Sequence, residues 1–460
     1  MDNRLNIIYF VCHDLGKQLG CYGAGVDTPN LNRFAAEGIQ FNRAYTNAVA
    51  CSPSRGCVMT GQYSHSNGLM GLVNRGWSLP VERQTIVDEL NNAGYETINC
   101  GIQHERHRRE DNRYQIVKES RYVEDAVGDA VAYLKEHKGS GQPFYMNIAT
   151  TETHPSQWGS IDPKGRVPVY EAWRPDEVYV PSFLPDTPQT RKELACFQGC
   201  IRYMDHHLGT LFDAVDQLGY RDHTVVVFTN DHGVAAPRAK PTVYEAGSGI
   251  SLLMQVPGAS ATQVDHLIQN IDYTPTLLDL AGVEIPQRVQ GSSFAPLLRG
   301  DAYTPHSEIF LERNYHSGTP NGEPLSTDQS NSYFDPMRAV RTDRFRYIRH
   351  LAEHPKRYWL PHEVEDYIRS DNGPEFVAKA VRLGSEYKTV WNYLWPPMTE
   401  PRDREELFDL ETDPNETRNL AEDAELQSIK SDLSARVDRW MAETADPILQ
   451  GEIPDRLNPW

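Results

Sequence analysis

Cys51 lies where the sequence predicts the first turn of a helix, a position that suits a nucleophile or a bound anion. Pro53 fixes its own φ and disfavours a helical conformation in the residue before it, so CSP predicts a turn that opens a helix continuing through SRGCVMTGQY. A side chain at such a start faces unpaired N–H groups and the positive end of the helix dipole. Anions bind there, and a nucleophile is held in place. The alternative is a small buried cysteine in a helix cap, and the remainder of the chain decides between the two.

Histidine and aspartate side chains follow four short apolar segments of the chain. They are His13-Asp14, His104, His154 and Asp231-His232. Each has an ordinary structural explanation on its own, because aspartate often caps a helix and histidine is often buried. Loops at the ends of rigid strands are nevertheless where catalytic and binding residues concentrate. If the four segments are neighbouring strands, their polar ends converge on one edge, and a functional site becomes the better interpretation.

Short apolar runs alternate with amphipathic segments over the first two thirds of the chain. NIIYFVCHD, PFYMNIATTETH and HTVVVFTNDHG are typical of buried parallel strands. TPNLNRFAAEG predicts a helix with Thr28 as its N-cap, Pro29 at its first position and Gly38 at its end. Strands that alternate with helices predict a parallel sheet covered on both faces. Ligands bind outside the carboxyl ends of the strands in such sheets, which is where the four polar ends are expected.

The pattern changes after residue 312. An irregular segment, ERNYHSGTPNGEPLSTDQSNSYFDP, precedes MRAVRTDRFRYIRHL, which predicts two antiparallel strands with a turn at Thr342-Asp343. ELFDLETDPNETRNLAED adds a strand and a turn, and LQSIKSDLSARVDRWMAET adds a final amphipathic helix. The sequence therefore predicts an α/β domain over residues 1–333, expected to hold the site, and a smaller α+β domain over residues 334–460.

The chain has 460 residues and a formal net charge of −19, which argues against nucleic acid or an acidic membrane surface as a partner. An acidic substrate stays compatible with this charge, because clustered cations can reverse its sign within a pocket. No segment approaches the roughly 20 apolar residues of a transmembrane helix, and the N-terminus lacks the features of a signal peptide. We therefore expect a cytoplasmic protein or, if a leader has been removed, a periplasmic or secreted one. The seven cysteines show neither a disulfide framework nor paired metal-site spacing.

CSPSR followed by TGQYSHSNGL resembles the signature of the type I sulfatases, which is Cys-x-Pro-x-Arg followed by a Thr-Gly pair. The similarity extends over nearly the whole chain, through ordered segments such as FTNDHG, KPTVYEAG, IDYTPTLLDLAG and ELFDLETDPNETRNLA. It implies an alkaline-phosphatase-like α/β sandwich around a large, mostly parallel sheet, with a smaller C-terminal α+β domain of antiparallel sheet and helix. In that family the motif cysteine is oxidised to formylglycine, and the hydrate of this aldehyde is the nucleophile. The resemblance thus implies that Cys51 is a formylglycine precursor.

The resemblance also assigns the site residues one by one. It implies a single divalent cation, Ca2+ with Mg2+ as the alternative, held by hard oxygen ligands. The implied metal ligands are His13, Asp14, formylglycine derived from Cys51, Asp231 and His232. The implied catalytic residues are Cys51 itself, Arg55, His104, His154 and Lys240. In these roles Arg55 steadies formylglycine, Lys240 contacts a sulfate oxygen, and the two histidines lie near the leaving and attacking oxygens.

Two positions depart from the family pattern. The family usually has two adjacent carboxylates where this chain has His13-Asp14, so His13 is either a metal ligand or only a donor beside the ligands. The usual Gly-Lys-x-His is here GIQH, ending at His104, so the family's lysine is absent. Either the same loop supplies the missing cation, or it is a solvated basic turn; its basic residues are Arg106, His107, Arg108 and Arg109.

Within the family, SHSNGLMGL, WNYLWPP and RWMAETADP most resemble the sulfamidase-like branch, the N-sulfoglucosamine sulfohydrolases. The predicted activity is therefore hydrolysis of sulfate esters or sulfamates of a sulfated saccharide, either heparan-type N-sulfoglucosamine or an O-sulfated polysaccharide fragment. The predicted partners are this saccharide and a formylglycine-generating or anaerobic maturation enzyme, and a homodimer is left open. Two alternatives are kept: a phosphonate or phosphodiester hydrolase on the same fold, and a non-catalytic binder of sulfated glycans.

Overall fold

The computed structural model describes most of the chain, namely residues 4–154, 173–184, 186, 188–236, 238–316, 334–352, 402–451 and 453. Three sheets form within these residues. The segment WNYLWPP and most of the irregular segment that precedes residue 334 lie outside the described residues. None of the helices in the described ranges has both the length and the apolar character needed to cross a membrane.

Eight strands of the described chain form the large sheet, which is parallel except at one strand. In spatial order they are β10 (Thr262–Val264), β2 (Ile39–Phe41), β9 (Leu252–Gln255), β7 (Thr224–Asn230), β1 (Asn6–Cys12), β6 (Phe144–Ala149), β4 (Glu96–Gly101) and β5 (Ile116–Lys118). Strand β9 runs antiparallel to both β2 and β7. Strands β7, β1, β6 and β4 run side by side in one direction, so their carboxyl ends meet at one edge. The predicted large, mostly parallel sheet is confirmed.

Helices cover both faces of this sheet. The α-helices of the described residues are α1 (Pro29–Glu37), α2 (Cys51–Thr60), α3 (Ser64–Asn67), α4 (Ile86–Asn92), α5 (Val123–His137), α6 (Pro188–Gln217), α7 (Glu245–Ser248), α8 (Tyr273–Leu280), α9 (Ala295–Arg299) and α10 (Gln427–Glu443). Helices α1, α5 and α6 lie on one face of the sheet, and α2, α4, α8 and α9 lie on the other. The predicted helix after Thr28 is confirmed, with Pro29 at its first position and Gly38 at its end. A small separate sheet consists of the short strands β3 (Ala44–Tyr45), β8 (Gly249–Ile250) and β11 (Ile268–Gln269).

Side chains of β1 alternate between two apolar cores, one on each face of the large sheet. Ile8 and Phe10 pack in a core with residues of α1, α5 and α6, whereas Ile7 and Tyr9 pack in a second core with residues of α2, α4, α8 and α9. All four side chains are at most 3% exposed. Because both faces of the strand are buried, its sequence is a continuous apolar run and shows no alternation with polar residues.

Four antiparallel strands and one helix form the C-terminal part of the fold. In spatial order the strands are β12 (Glu308–Tyr315), β13 (Phe334–Thr342), β14 (Phe345–His350) and β15 (Glu405–Asp409). Strands β13 and β14 are antiparallel, as predicted, and the chain reverses between them at Asp343-Arg344, one residue beyond the predicted turn at Thr342-Asp343. Trp440 and Val437 of α10 share an apolar cluster with Tyr347 of β14. The predicted antiparallel sheet with a packed helix is confirmed.

The first strand of this sheet comes before residue 334, where the sequence predicts the second domain to begin. Strand β12 pairs along its length with β13, from Glu308 opposite Thr342 to Tyr315 opposite Phe334. The C-terminal sheet therefore takes strands from both sides of the predicted boundary. The division into residues 1–333 and 334–460 stays a prediction.

Candidate active site

Helix α2 begins at Cys51, as the sequence predicts. Ala50 is extended before it, with φ −141° and ψ 151°, and the Ser54 N–H donates to the Ala50 carbonyl over 2.8 Å. All ten residues of α2 are buried, and Cys51 itself is only 5% exposed. Its Sγ lies 3.3 Å from His232 Nε2. The Cys51 side chain therefore lies at the positive end of a helix that is enclosed by the protein.

Two of the predicted strand ends place carboxylates next to each other. Cys12, the last residue of β1, pairs with Asn230, the last residue of β7. Asp14 has a φ of 49°, in the left-handed region that aspartate adopts more readily than most residues. Its N–H donates to Asp231 Oδ1 over 3.0 Å. The carboxylates that follow β1 and β7 therefore meet at the carboxyl edge of the sheet.

Three histidine rings from three strand ends pack together at the same edge. The centroid of the His13 ring lies 5.2 Å from that of His104 and 5.7 Å from that of His154, and both contacts are edge to face. The His13 N–H donates to the Glu152 carbonyl over 2.7 Å, and the Thr153 N–H donates to the His13 carbonyl over 3.0 Å. These main-chain bonds join the end of β1 to the segment after β6. They hold the imidazoles beside the carboxylates.

Four of the side chains offer donor atoms for a metal ion. His13, Asp14, Cys51 and Asp231 each present one such atom, and all four atoms lie within 4.8 Å of one another. His13 Nδ1 is 2.9 Å from Asp231 Oδ2, yet neither His13 nitrogen nor this oxygen makes a well-aligned hydrogen bond within the described residues. These unpartnered buried atoms, together with the carboxylates of Asp14 and Asp231, fit a hard divalent cation. The fifth predicted ligand, His232, lies beside the cluster, its Nε2 3.2 Å from Asp14 Oδ1.

Two cations are buried against these carboxylates. Lys240 Nζ donates to both oxygens of Asp14 over 3.1 Å and lies 3.3 Å from Cys51 Sγ. Arg55, one helical turn along α2 from Cys51, places its Nε 3.5 Å from Asp231 Oδ2. Residue 51 therefore lies among groups that attract an anion and stabilise the charge that forms on it. The structure brings all nine predicted site residues together, and their individual roles stay predictions.

Burial and neighbouring groups shift the pKa values of Asp231, His13 and His104 in this site. Burial alone would raise the pKa of Asp231, but His232, His13 and Arg55 outweigh it and hold that pKa well below its usual range. Burial lowers the pKa of His13 well below its usual value, and burial together with nearby Arg55 lowers the pKa of His104 to about 3. At neutral pH the carboxylate is therefore ionised and the two imidazoles are neutral. Those are the protonation states that bind a divalent cation.

Three arginines of the loop after His104 are engaged away from the site. Arg106 donates to three main-chain carbonyl groups. Arg108 and Arg109 form ion pairs with glutamates at the surface. Ile102, which stands where the family has its lysine, packs in the second apolar core. The solvated basic turn therefore describes Arg108 and Arg109, whereas Arg106 is buried and fits neither interpretation. Positive charge at the site comes from Lys240 and Arg55.

Two supporting residues are not apparent from the sequence. Ser54 Oγ donates to the Asp231 carbonyl over 2.6 Å, and Asn230 Nδ2 donates to the His232 carbonyl over 2.7 Å. These bonds fix the main chain on either side of the Asp231 carboxylate. Ser54 lies three residues after Cys51, so helical periodicity is the signal that could have placed it near the site. The partner of Asn230 depends on the turn after β7, which no local pattern specifies.

The chain has a mostly parallel sheet covered by helices. A buried site with carboxylates, imidazoles and two cations lies at the carboxyl edge of this sheet. Together they define the alkaline-phosphatase-like class of α/β proteins. A model of the sulfatase family matches residues 5–283, more than half of the chain, and a model described as N-sulphoglucosamine sulphohydrolase, C-terminal, matches residues 236–367. The chain belongs to the sulfatase family, which hydrolyses sulfate esters and sulfamates. The expected family and fold are confirmed. Sulfatases generally use a formylglycine residue and a divalent cation.

Three similar proteins match the chain over nearly its whole length. The N-sulphoglucosamine sulphohydrolase of Homo sapiens is 27% identical over 508 residues, which cover 99% of this chain and 94% of that protein. An ulvan-active sulfatase of Formosa agariphila is 24% identical over 494 residues, which cover 97% of this chain and 76% of that protein. A solved structure in complex with its substrate, D-glucosamine-2-N,6-O-disulfate, has a TM-score of 0.69 and 19% identity and covers 96% of this chain and 98% of that one. This last likeness shows a shared fold.

Proposed function

We propose that this sulfatase releases sulfate from a sulfated saccharide, with heparan-type N-sulfoglucosamine as the first candidate, and that residue 51 acts as a formylglycine. The observation that carries the proposal is the position of Cys51, which begins a buried helix 3.3 Å from both Lys240 Nζ and His232 Nε2. A cysteine that only filled space would not require a buried ammonium group beside it, because burying a charge is costly. The site suits an anion and the group that attacks it.

The charges around residue 51 are compatible with a sulfate group. The carboxylates of Asp14 and Asp231 are balanced by Lys240 and Arg55, so these four groups together do not repel an anion. When bound, the divalent cation, Ca2+ in this proposal, supplies further positive charge and Lewis acidity to the sulfate and to residue 51. The residues that would hold it are His13, Asp14, residue 51, Asp231 and His232.

The chain's own residues and solvent account for the protons of the proposed reaction. In the hydrated aldehyde of residue 51, one hydroxyl gives its proton to solvent, and the alkoxide, stabilised by the nearby Lys240 ammonium group, attacks sulfur while the bond from sulfur to the sugar oxygen or nitrogen breaks. The leaving atom takes up a proton from His154, whose Nε2 lies 4.0 Å from Asp14 Oδ2 and whose side chain is 27% exposed. The second hydroxyl then loses its proton to the neutral imidazole of His104, which restores the C=O bond and expels sulfate. Lys240 and Arg55 stabilise the negative charge that grows on the sulfate.

Sulfate release across a panel of defined compounds tests the proposed substrate. Matured protein is incubated with N-sulfoglucosamine, glucosamine 6-O-sulfate, ulvan oligosaccharides, an aryl sulfate and an aryl phosphodiester. We expect the fastest release from N-sulfoglucosamine, since the C-terminal family match and the human relative both support that substrate. Fastest release from ulvan oligosaccharides would move the proposal to O-sulfated polysaccharides, in line with the ulvan-active relative. Faster cleavage of the phosphodiester than of every sulfate, or glycan binding without any release, would refute it.

Replacing His13 by aspartate is expected to preserve activity and to change the preferred metal. The substitution exchanges a softer nitrogen donor for a hard, charged oxygen, so the affinity for Ca2+ should rise by about tenfold or more relative to that for Mn2+. Titration calorimetry with each ion measures this ratio without any need for substrate. His266→Asp makes the same change at an exposed position and should bind both ions as the wild type does. An unchanged ratio in His13→Asp would place His13 outside the metal ligands.

A further inference from the structure

The loop that carries Lys240 comprises residues 238–245 and is here called the lysine loop. Within it, Thr242 Oγ1 donates to the Arg238 carbonyl over 3.0 Å and to the Ala239 carbonyl over 2.7 Å. The Lys240 N–H donates to the Val234 carbonyl over 3.1 Å. These bonds shape the middle of the loop. The contacts that fix its two ends come from the C-terminal part of the chain.

One residue, Glu416, contacts both ends of the lysine loop. At the first end, the Arg238 guanidinium donates to the main-chain carbonyl of Glu416 and, over 3.3 Å, to that of Asn415. At the other end, the Glu245 N–H donates to Glu416 Oε2 over 2.6 Å. The Glu416 side chain is 2% exposed. Its main chain and its carboxylate therefore span the segment that places Lys240.

Arg346 of strand β14 connects the Glu416 carboxylate to the same loop. Its Nε lies 3.2 Å from Glu416 Oε1, and its other nitrogens donate to the Val243 carbonyl and to Glu245 Oε1. The Arg346 side chain is fully buried. Arg346 Nε and Glu416 Oε1 make no well-aligned hydrogen bond within the described residues, so this contact is one of proximity and charge. Arg346 is held against the lysine loop by its two donated bonds, and it lies beside the Glu416 carboxylate that contacts the same loop.

Two residues of this contact have left-handed main-chain conformations. Arg238 has a φ of 61° and Glu416 a φ of 54°. Residues other than glycine keep such angles where the surrounding structure enforces them. Two hydrogen bonds fix the turn that contains Glu416. The Glu416 N–H donates to the Asp413 carbonyl over 3.0 Å, and the Arg418 N–H donates to Asp413 Oδ2 over 2.8 Å. The contact is therefore a specific geometry and not a loose approach of two loops.

We infer that Glu416 is a positioning residue for Lys240: by joining both ends of the lysine loop, it keeps the ammonium group against Asp14 and residue 51. The inference rests on the proposed function, in which Lys240 contacts the sulfate. A misplacement of such a group by about 1 Å costs up to about 100-fold in rate. The C-terminal part of the chain thereby contributes to catalysis through a loop of the large α/β unit.

A double-mutant cycle between Glu416 and Lys240 tests this role. Glu416→Ala should lower kcat by about 10-fold to 100-fold and change KM by less than about threefold. In the Lys240→Ala background the same substitution should change kcat by less than about twofold, because the group that it positions is gone. Glu422→Ala, at a position 95% exposed in the same region, is the matched control and should leave kcat unchanged. Equal losses in both backgrounds would overturn the inference, since a residue that only stabilises the fold behaves in that way.

Two further variants and one structure complete the test. Glu416→Gln keeps an acceptor for the Glu245 N–H and should recover most of the kcat that Glu416→Ala loses. If the alanine variant does not fold, Glu416→Asp, too short to reach that N–H, replaces it in the cycle. A crystal structure of Glu416→Ala, or of Glu416→Asp in its place, tests the role without any measurement of activity. Lys240 Nζ should lie farther from Asp14 than in the wild type, and an unmoved ammonium group overturns the inference. If the wild type releases no sulfate from any compound, the proposed function fails, and this structure still decides the positioning role.

Discussion

Replacing Cys51 by alanine or serine in matured protein is expected to abolish sulfate release, with a loss of about 1,000-fold or more. Alanine offers no nucleophile, so this variant should bind substrate without reacting. Serine offers one hydroxyl, which can attack sulfur once. The sulfated serine has no second hydroxyl on the same carbon, so it cannot restore a C=O bond and expel sulfate. We therefore expect the serine variant to stop as a sulfate ester.

Peptide mass analysis of the segment around residue 51 measures both the modification and the trapped product. In protein produced together with a formylglycine-generating or anaerobic maturation enzyme, the sulfur of Cys51 should be replaced by oxygen with the loss of two hydrogens. After incubation with substrate, Cys51→Ser should carry an added sulfate. The control is Cys21→Ser, since Cys21 packs against the core on the α1, α5 and α6 face of the sheet, and full activity is expected there. A fully active enzyme with an intact thiol at Cys51 would end this mechanism.

Replacing Lys240 by alanine is expected to lower kcat by about 100-fold, which corresponds to about 3 kcal/mol of transition-state stabilisation. The ammonium group is fully buried, 3.1 Å from Asp14 and 3.3 Å from Cys51, so it lies where charge grows on the sulfate during the reaction. In the variant, Asp14 keeps His232 as a neighbour, with Nε2 at 3.2 Å. The free energy of unfolding should therefore fall by less than the transition-state stabilisation does.

Steady-state kinetics and urea denaturation separate these two effects of Lys240→Ala. Lys430→Ala removes the same charge from helix α10, where Lys430 lies 3.6 Å from Glu405, and it should leave kcat unchanged. A kcat for Lys240→Ala equal to that of the wild type would refute the role proposed for Lys240. The positioning role of Glu416 would then have no group on which to act.

The ends of the strands show how much of the site is specified by local sequence. A parallel strand buried on both faces contains few polar residues, so the polar residues that follow NIIYFVC and HTVVVFTN stand out. Parallel strands share a direction, and β1 and β7 are neighbours, so His13-Asp14 and Asp231-His232 reach the same edge. Pro53 lies in the first turn of α2, where its missing N–H removes no helical hydrogen bond, so a helix start close to Cys51 is also indicated locally. The predicted sheet and the meeting of its polar ends therefore rest on short segments.

Contacts between distant segments could not be predicted in this way. Arg106 follows His104 so closely that it is a reasonable source of positive charge, yet its guanidinium binds main-chain carbonyl groups whose positions depend on other loops. Glu416 and Glu245 are 171 residues apart, and no periodicity connects them. Strand β12 lies before the predicted boundary but pairs with β13 after it. This pairing could not be predicted locally, because the assembled sheet determines the partners of a strand more than the strand's own residues do.

The enclosure of helix α2 limits when residue 51 can be modified during the life of the protein. Only 5% of Cys51 is exposed, and every residue of the helix is buried. In the folded protein this thiol is therefore inaccessible to the active site of another enzyme. The proposed oxidation of Cys51 by a maturation enzyme therefore requires that CSPSR be accessible, which we expect before the rest of the chain encloses α2. We expect a molecule that folds first to keep its thiol and to lack the proposed activity.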